Sequence, residues 1–73
     1  MAREWLKKAR EDKGISALQM SEDCGLSYSY YARIEQGERQ KNMELRLAAK
    51  IGNALGMTIQ EIREKEEAWL ASM

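Results

Sequence analysis

A chain of 73 residues has room for one domain, spanning 1–73, and its twelve basic and twelve acidic side chains leave no net charge to announce a polyanionic partner. A single cysteine, Cys24, excludes a disulfide framework and fits a reducing, cytoplasmic setting, and the lack of histidine excludes a Cys/His zinc site. The opening run MAREWLKKAREDK is charged throughout, so neither a signal peptide nor a membrane span is expected.

Apolar residues recur at spacings of three and four, and no run alternates as a strand would, so the fold class expected is all-α with five helices. The first runs from about Arg3 to Lys13, with Trp5, Leu6 and Ala9 on one face and Gly14 as its stop. Ser16 is an N-cap for a second helix of two turns, about Ala17 to Cys24, ended by Gly25. Ser27 opens a third helix that reaches Gln36 and stops at Gly37. After the polar loop Glu38-Arg39-Gln40-Lys41, Asn42 is expected to cap a fourth helix with Leu47, Ala48, Ile51 and Leu55 on its inner face and Gly56 at its end. Gly52 falls in mid-helix, at a cost of about 1 kcal/mol relative to Ala, and marks close packing. Thr58 with Glu61 forms a capping box for a fifth helix, about 59–71.

The stretch 17–37 carries the most information. Two short helices joined by Gly25-Leu26-Ser27 can cross steeply when Met20 and Cys24 share a face of one and Tyr31 and Ile34 share a face of the other, with Leu26 in the corner. Cys24 is then a core residue and not a redox sensor. Helical phasing leaves Tyr28, Ser29, Ala32 and Arg33 facing outward with Gln36 to one side, a hydrogen-bonding set on a helix slim enough to enter a major groove. Tyr31 turns inward and Tyr30 lies on the flank, so the three tyrosines do not make a stacking platform for single strands. Charge is unevenly spread: residues 1–58 hold ten Lys/Arg against eight Asp/Glu, and residues 59–73 hold two against four.

The pieces Gly14-Ile15-Ser16, Gly25-Leu26-Ser27, Ile34-Glu35-x-Gly37 and Ala54-Leu55-Gly56, at this spacing across roughly residues 3–62, resemble the Cro/repressor-type (lambda-repressor-like) helix-turn-helix family. The resemblance implies a compact five-helix DNA-binding domain in which the second and third helices form the helix-turn-helix. It further implies that Tyr28, Ser29, Ala32 and Arg33 contact base edges, Arg33 by a bidentate bond to guanine. Arg39, Lys41 and Asn42, with the backbone N–H groups opening the second and fourth helices at Ala17 and beyond, are implied as phosphate contacts. Arg10 and Glu35 match a structural ion pair of the family. Two departures stand out: Ala17 replaces a glutamine that bonds phosphate, and Lys41 replaces a proline, exchanging rigidity for charge.

The implied function is a sequence-specific transcriptional regulator, a repressor acting on double-stranded DNA as a homodimer. The rival is a protein-interaction module, antitoxin-like or an anti-regulator subunit, supported by the neutral charge, Ala17 and the acidic tail. The tail itself reads two ways: Ile59 and Ile62 complete the core with Trp69 against the first helix near Trp5, or Trp69, Leu70 and Met73 form a dimer surface. With no histidine, phosphate loop or paired carboxylates, neither an enzyme, a cofactor, a metal nor a small-molecule ligand is expected.

Overall fold

The computed structural model describes all 73 residues, in five helices and no strand: α1 (Glu4–Asp12), α2 (Ala17–Asp23), α3 (Tyr28–Glu35), α4 (Leu45–Leu55) and α5 (Ile59–Ala71). No helix is long and apolar enough to cross a membrane. Three of the helix starts are set by the hydroxyl caps expected of them. The side chains of Ser16, Ser27 and Thr58 accept the backbone N–H of Gln19, Tyr30 and Glu61, at 3.1, 3.2 and 3.1 Å. The Thr58 N–H donates in return to the Glu61 carboxylate at 2.8 Å, which completes the capping box. That bond, together with the Thr58 hydroxyl, holds the Glu61 carboxyl below its ordinary range.

Helix α4 departs from expectation at its start. Asn42 does not cap it; the N-cap is Glu44, without a side-chain bond, and the helix begins at Leu45. The cause lies in the loop. Gln40 adopts φ +59°, in the left-handed region, and turns its side chain back over the loop. There its Oε1 accepts the Glu44 N–H at 3.1 Å while its Nε2 donates to the Tyr30 hydroxyl at 2.9 Å. The loop is thereby drawn out, and Lys41 and Asn42 stay in it.

The core gathers one face from each helix: Leu6, Met20, Cys24, Tyr31, Ile34, Leu47, Ala48, Ile51, Leu55 and Ile62. Met20 and Cys24 of the α2 region meet Tyr31 and Ile34 of α3 as their spacing requires, and Leu26 packs against them at the corner. Burial raises the Cys24 thiol above its ordinary value, in keeping with a core role. Gly52 is buried where α4 meets the turn into α5, and glycine is required there because a Cβ would lie 2.5 Å from the Met57 carbonyl oxygen.

Helix α5 corrects the reading of the tail in two places. Its inward face is Ile62, Glu66 and Trp69, whereas Ile59 is 40% exposed and completes nothing. Residues 62, 66 and 69 share one stripe at spacings of four and three; Ile59, a turn before them, sits at its edge. Trp69 is 6% exposed, its ring 4.1 Å from the Arg3 guanidinium carbon and its Nε1 donating to the Ala2 carbonyl at 3.0 Å. It is therefore a packing residue of the N-terminal segment and has little surface to offer a second chain. Leu70 and Met73 remain exposed.

Candidate nucleic-acid interface

Helix α3 has two faces of different chemistry. Tyr31 and Ile34 are fully buried, which fixes the helix against α2 and α1. On the other side Tyr28 (54% exposed), Ser29, Arg33 and Gln36 stand in solvent. Ala32 is half-buried rather than prominent; it lines a cleft with Ala17, Tyr28, Gln36 and Lys7 of α1. The small side chain at position 17 keeps that cleft open. Arg39, Lys41 and Asn42 are exposed on the loop that follows α3. The residues expected to meet bases thus lie along α3, and of those expected to meet phosphate Arg39, Lys41 and Asn42 lie on the adjoining loop while Ala17 opens α2.

The helix is braced from beneath by an ion pair. The Glu35 carboxylate accepts Arg10 Nε at 2.7 Å, Arg10 Nη2 at 3.3 Å and the Tyr31 hydroxyl at 2.5 Å. Arg10 Nη1 continues to the Ile15 carbonyl at 2.9 Å, so one guanidinium ties α1 to α3 and to the loop before α2. Both side chains are about nine-tenths buried, and Glu35 raises the Arg10 pKa further above its ordinary value. This is the pair that the resemblance implied, and it borders the exposed side of α3, since Arg10 and Glu35 line the same cleft as Tyr28, Ala32 and Gln36.

Burial, and then the bond to Glu35, push the Tyr31 phenol well above its ordinary value of 10.0. A raised folded-state pKa means stability that is complete below the unfolded value and lost as pH rises beyond it. Tyr31→Phe is therefore expected to be less stable than the parent at neutral pH by about 1 kcal/mol. The gap should close and then reverse between about pH 9 and pH 11.5, as the unfolded parent releases its tyrosine proton. Urea titrations across that range measure it; two curves falling in parallel would show that Tyr31 does not titrate on unfolding.

A second set of contacts has no counterpart in the sequence reading. Arg3, fully buried, spends all five of its N–H donors. Nε and Nη2 reach the Glu66 carboxylate at 2.7 and 2.9 Å. Nη1 reaches the carbonyls of Ile34 at 2.7 Å and Arg39 at 3.3 Å, and Nη2 that of Gln40 at 2.7 Å. Glu66 also accepts Trp5 Nε1 at 2.9 Å. The single cue in the sequence was Glu66 breaking the apolar seam of α5; an acid at an inward position calls for a buried cation, and nothing local supplies one.

Residues 6–62 match the helix-turn-helix family. The chain belongs to that family. A relative from Bacillus subtilis (strain 168), described as the uncharacterized HTH-type transcriptional regulator YqaF, is 36% identical over 56 residues that cover 77% of this chain and 71% of the relative. Within this helix-turn-helix domain α2 and α3 are the paired helices and Gly25-Leu26-Ser27 is the turn. The Arg10–Glu35 brace lies inside the matched stretch; Arg3, Glu66 and Trp69 all lie outside it.

Proposed function

We propose that the protein is a sequence-specific DNA-binding transcriptional regulator, a repressor that reads the major groove with α3 in the cytoplasm. The observation that carries this is the division of α3: Tyr31, Ile34 and Glu35 lock one face into the domain, leaving Tyr28, Ser29 and Arg33 exposed on the other. An eight-residue helix presented in this way fits a major groove about 12 Å wide. In this reading Arg33 bonds a guanine edge, Tyr28 and Ser29 contact bases or phosphate, and the Ala32 methyl meets a thymine methyl across the shallow cleft. Arg39, Lys41, Asn42 and the backbone around Ala17 hold the phosphates. Lys7 is added to that set, since it lines the cleft that Ala17 leaves open.

The protein acts as a homodimer in this reading. Trp69 is withdrawn from the dimer surface by its burial, while Leu70 lines an apolar groove with Leu45 (71% exposed), Ile59 and Met43 beside Lys41 and Asn42. A second copy seated there would lie next to the phosphate-contacting loop and place two copies of α3 on one face of the duplex.

Selection of bound sequences from random DNA tests both statements at once. The expected product is a palindrome with half-sites about 34–36 Å apart. One asymmetric half-site would overturn the dimer, and no preferred sequence at about 50 mM salt would overturn the regulator. On the selected site, Arg33→Ala should weaken binding roughly 5- to 150-fold and relax preference at one base pair, by loss of about 1–3 kcal/mol. Lys41→Ala should weaken all sequences alike and lower the salt slope by about one. These responses are read by gel shift over a salt series. A partner protein bound equally well by Tyr28 and Arg33 variants, with no selected DNA, would favour the interaction-module reading instead.

A further inference from the structure

We propose that Arg3 is a positioning residue for DNA binding: it fixes the loop bearing Arg39, Lys41 and Asn42 relative to α3, and α5 in turn fixes Arg3 through Glu66 and Trp69. The proposal rests on the DNA-binding reading above. The geometry is specific. One guanidinium gathers the carbonyl of Ile34, in the last turn of α3, and the carbonyls of Arg39 and Gln40, in the loop. It cannot drift, because Glu66 holds its other edge with two bonds, Trp69 covers its face at 4.1 Å, and Trp5 steadies Glu66. The backbone N–H of Arg3 adds a bond to the Glu35 carbonyl at 2.7 Å. The loop has little else to hold it: Gln40 bridges Tyr30 and Glu44, Glu38 N–H reaches the Arg33 carbonyl, and of the exposed cations Arg39 reaches only its neighbour's carbonyl, that of Glu38, at 3.0 Å, while Lys41 makes no bond within the chain. A planar five-donor fork can serve three carbonyls and a carboxylate together; an ammonium cannot. Arg3, Glu66 and Trp69 lie outside residues 6–62, so the donor and its anchors sit outside the stretch that matches the family while the carbonyls they hold sit within it.

The test is Arg3→Lys, which keeps the charge, measured by circular dichroism for folding and by salt-dependent binding to the selected site at 10 °C. The folded variant should bind about tenfold more weakly, with its log–log salt slope reduced by about 1–2 and its ratio of selected to scrambled DNA unchanged. Partial unfolding alone would lower apparent affinity without moving the slope. Hydrogen exchange of the Glu38 and Glu44 amides should quicken while that of Met20 and Cys24 does not. A folded Arg3→Lys protein with parental affinity and slope overturns the proposal. Should that variant not fold, Glu66→Gln is read on the same scale, and failure of both to fold makes the clamp purely structural and also overturns it. Loss of DNA binding by the parent protein would instead remove the DNA-binding reading itself.

Discussion

Arg10→Met should cost the domain about 3 kcal/mol, a large part of a total that for 73 residues is about 4–11 kcal/mol. The substitution keeps most of the apolar stem but leaves Glu35 ionised with one remaining partner, the Tyr31 hydroxyl, and strips the Ile15 carbonyl of its donor. Solvent reaches only 11–12% of either side chain, so water can make good little of the loss. The penalty is mainly that of an uncompensated buried charge and not the net worth of the pair, and this distinction is measurable. Glu35→Gln added to Arg10→Met removes the charge while preserving an acceptor for Tyr31, so the double variant should be more stable than Arg10→Met alone by about 1–2 kcal/mol. Urea denaturation of the four members of the cycle decides it. A single variant within about 0.5 kcal/mol of the parent would show that Glu35 finds water or relaxes outward.

Much of the fold could be read from the sequence because its determinants are local. The hydroxyls of Ser16, Ser27 and Thr58 act on amides three residues away, and the alternation of buried and exposed positions along α3 follows from helical phase alone. The failures share a different cause. Asn42 was a chemically suitable cap for α4, but Gln40 took up the left-handed conformation and captured the Glu44 amide, a competition that no single residue type reveals. Ile59 had the right spacing to Ile62, yet the stripe of α5 is set by Glu66 and Trp69, whose partner Arg3 lies 63 residues from Glu66. Read along the chain, Arg3 is one more charge in a charged run. Only the docking of the N-terminal segment between α3 and α5 makes it the most fully engaged cation of the molecule.

The same contrast applies to the interface. Which side chains of α3 face outward was legible, and so was the Arg10–Glu35 brace, through the resemblance. How the loop is held was not, because its bonds run from backbone carbonyls to a distant guanidinium and carry no mark in the loop's own residues. Neutral net charge was a poor guide for a related reason. The acidic residues of α5 are partly consumed by pairing, Glu66 with Arg3 and Glu67 with Arg63, while Arg33, Arg39 and Lys41, on α3 and the loop after it, form no ion pair.

Gly52→Val should be among the most damaging single changes in the chain, and Gly52→Ala, though milder, should destabilise as well. Intrinsic propensity argues the other way: alanine in mid-helix is favoured over glycine by about 1 kcal/mol, and valine by a few tenths. Packing opposes it. A Cβ would stand 2.5 Å from the Met57 carbonyl oxygen and 3.2 Å from the Ile62 side chain. Ile62 can yield by changing rotamer, but the Met57 carbonyl belongs to a turn whose own N–H is bound to the Gly52 carbonyl at 2.9 Å. Relief therefore requires moving the α4–α5 connection as a unit, which disturbs the Thr58–Glu61 cap and lifts Ile62 from the core. Overpacking of this kind costs about 1–3 kcal/mol, and more for the three carbons that valine adds, so after the gain in propensity alanine should lose up to about 2 kcal/mol net and valine about 3 kcal/mol or more. Thermal and urea unfolding give the order glycine, alanine, valine in falling stability. An alanine variant more stable than the parent would mean that the turn at Met57 moves freely, and with it the junction that holds α5, Glu66 and the Arg3 clamp in place.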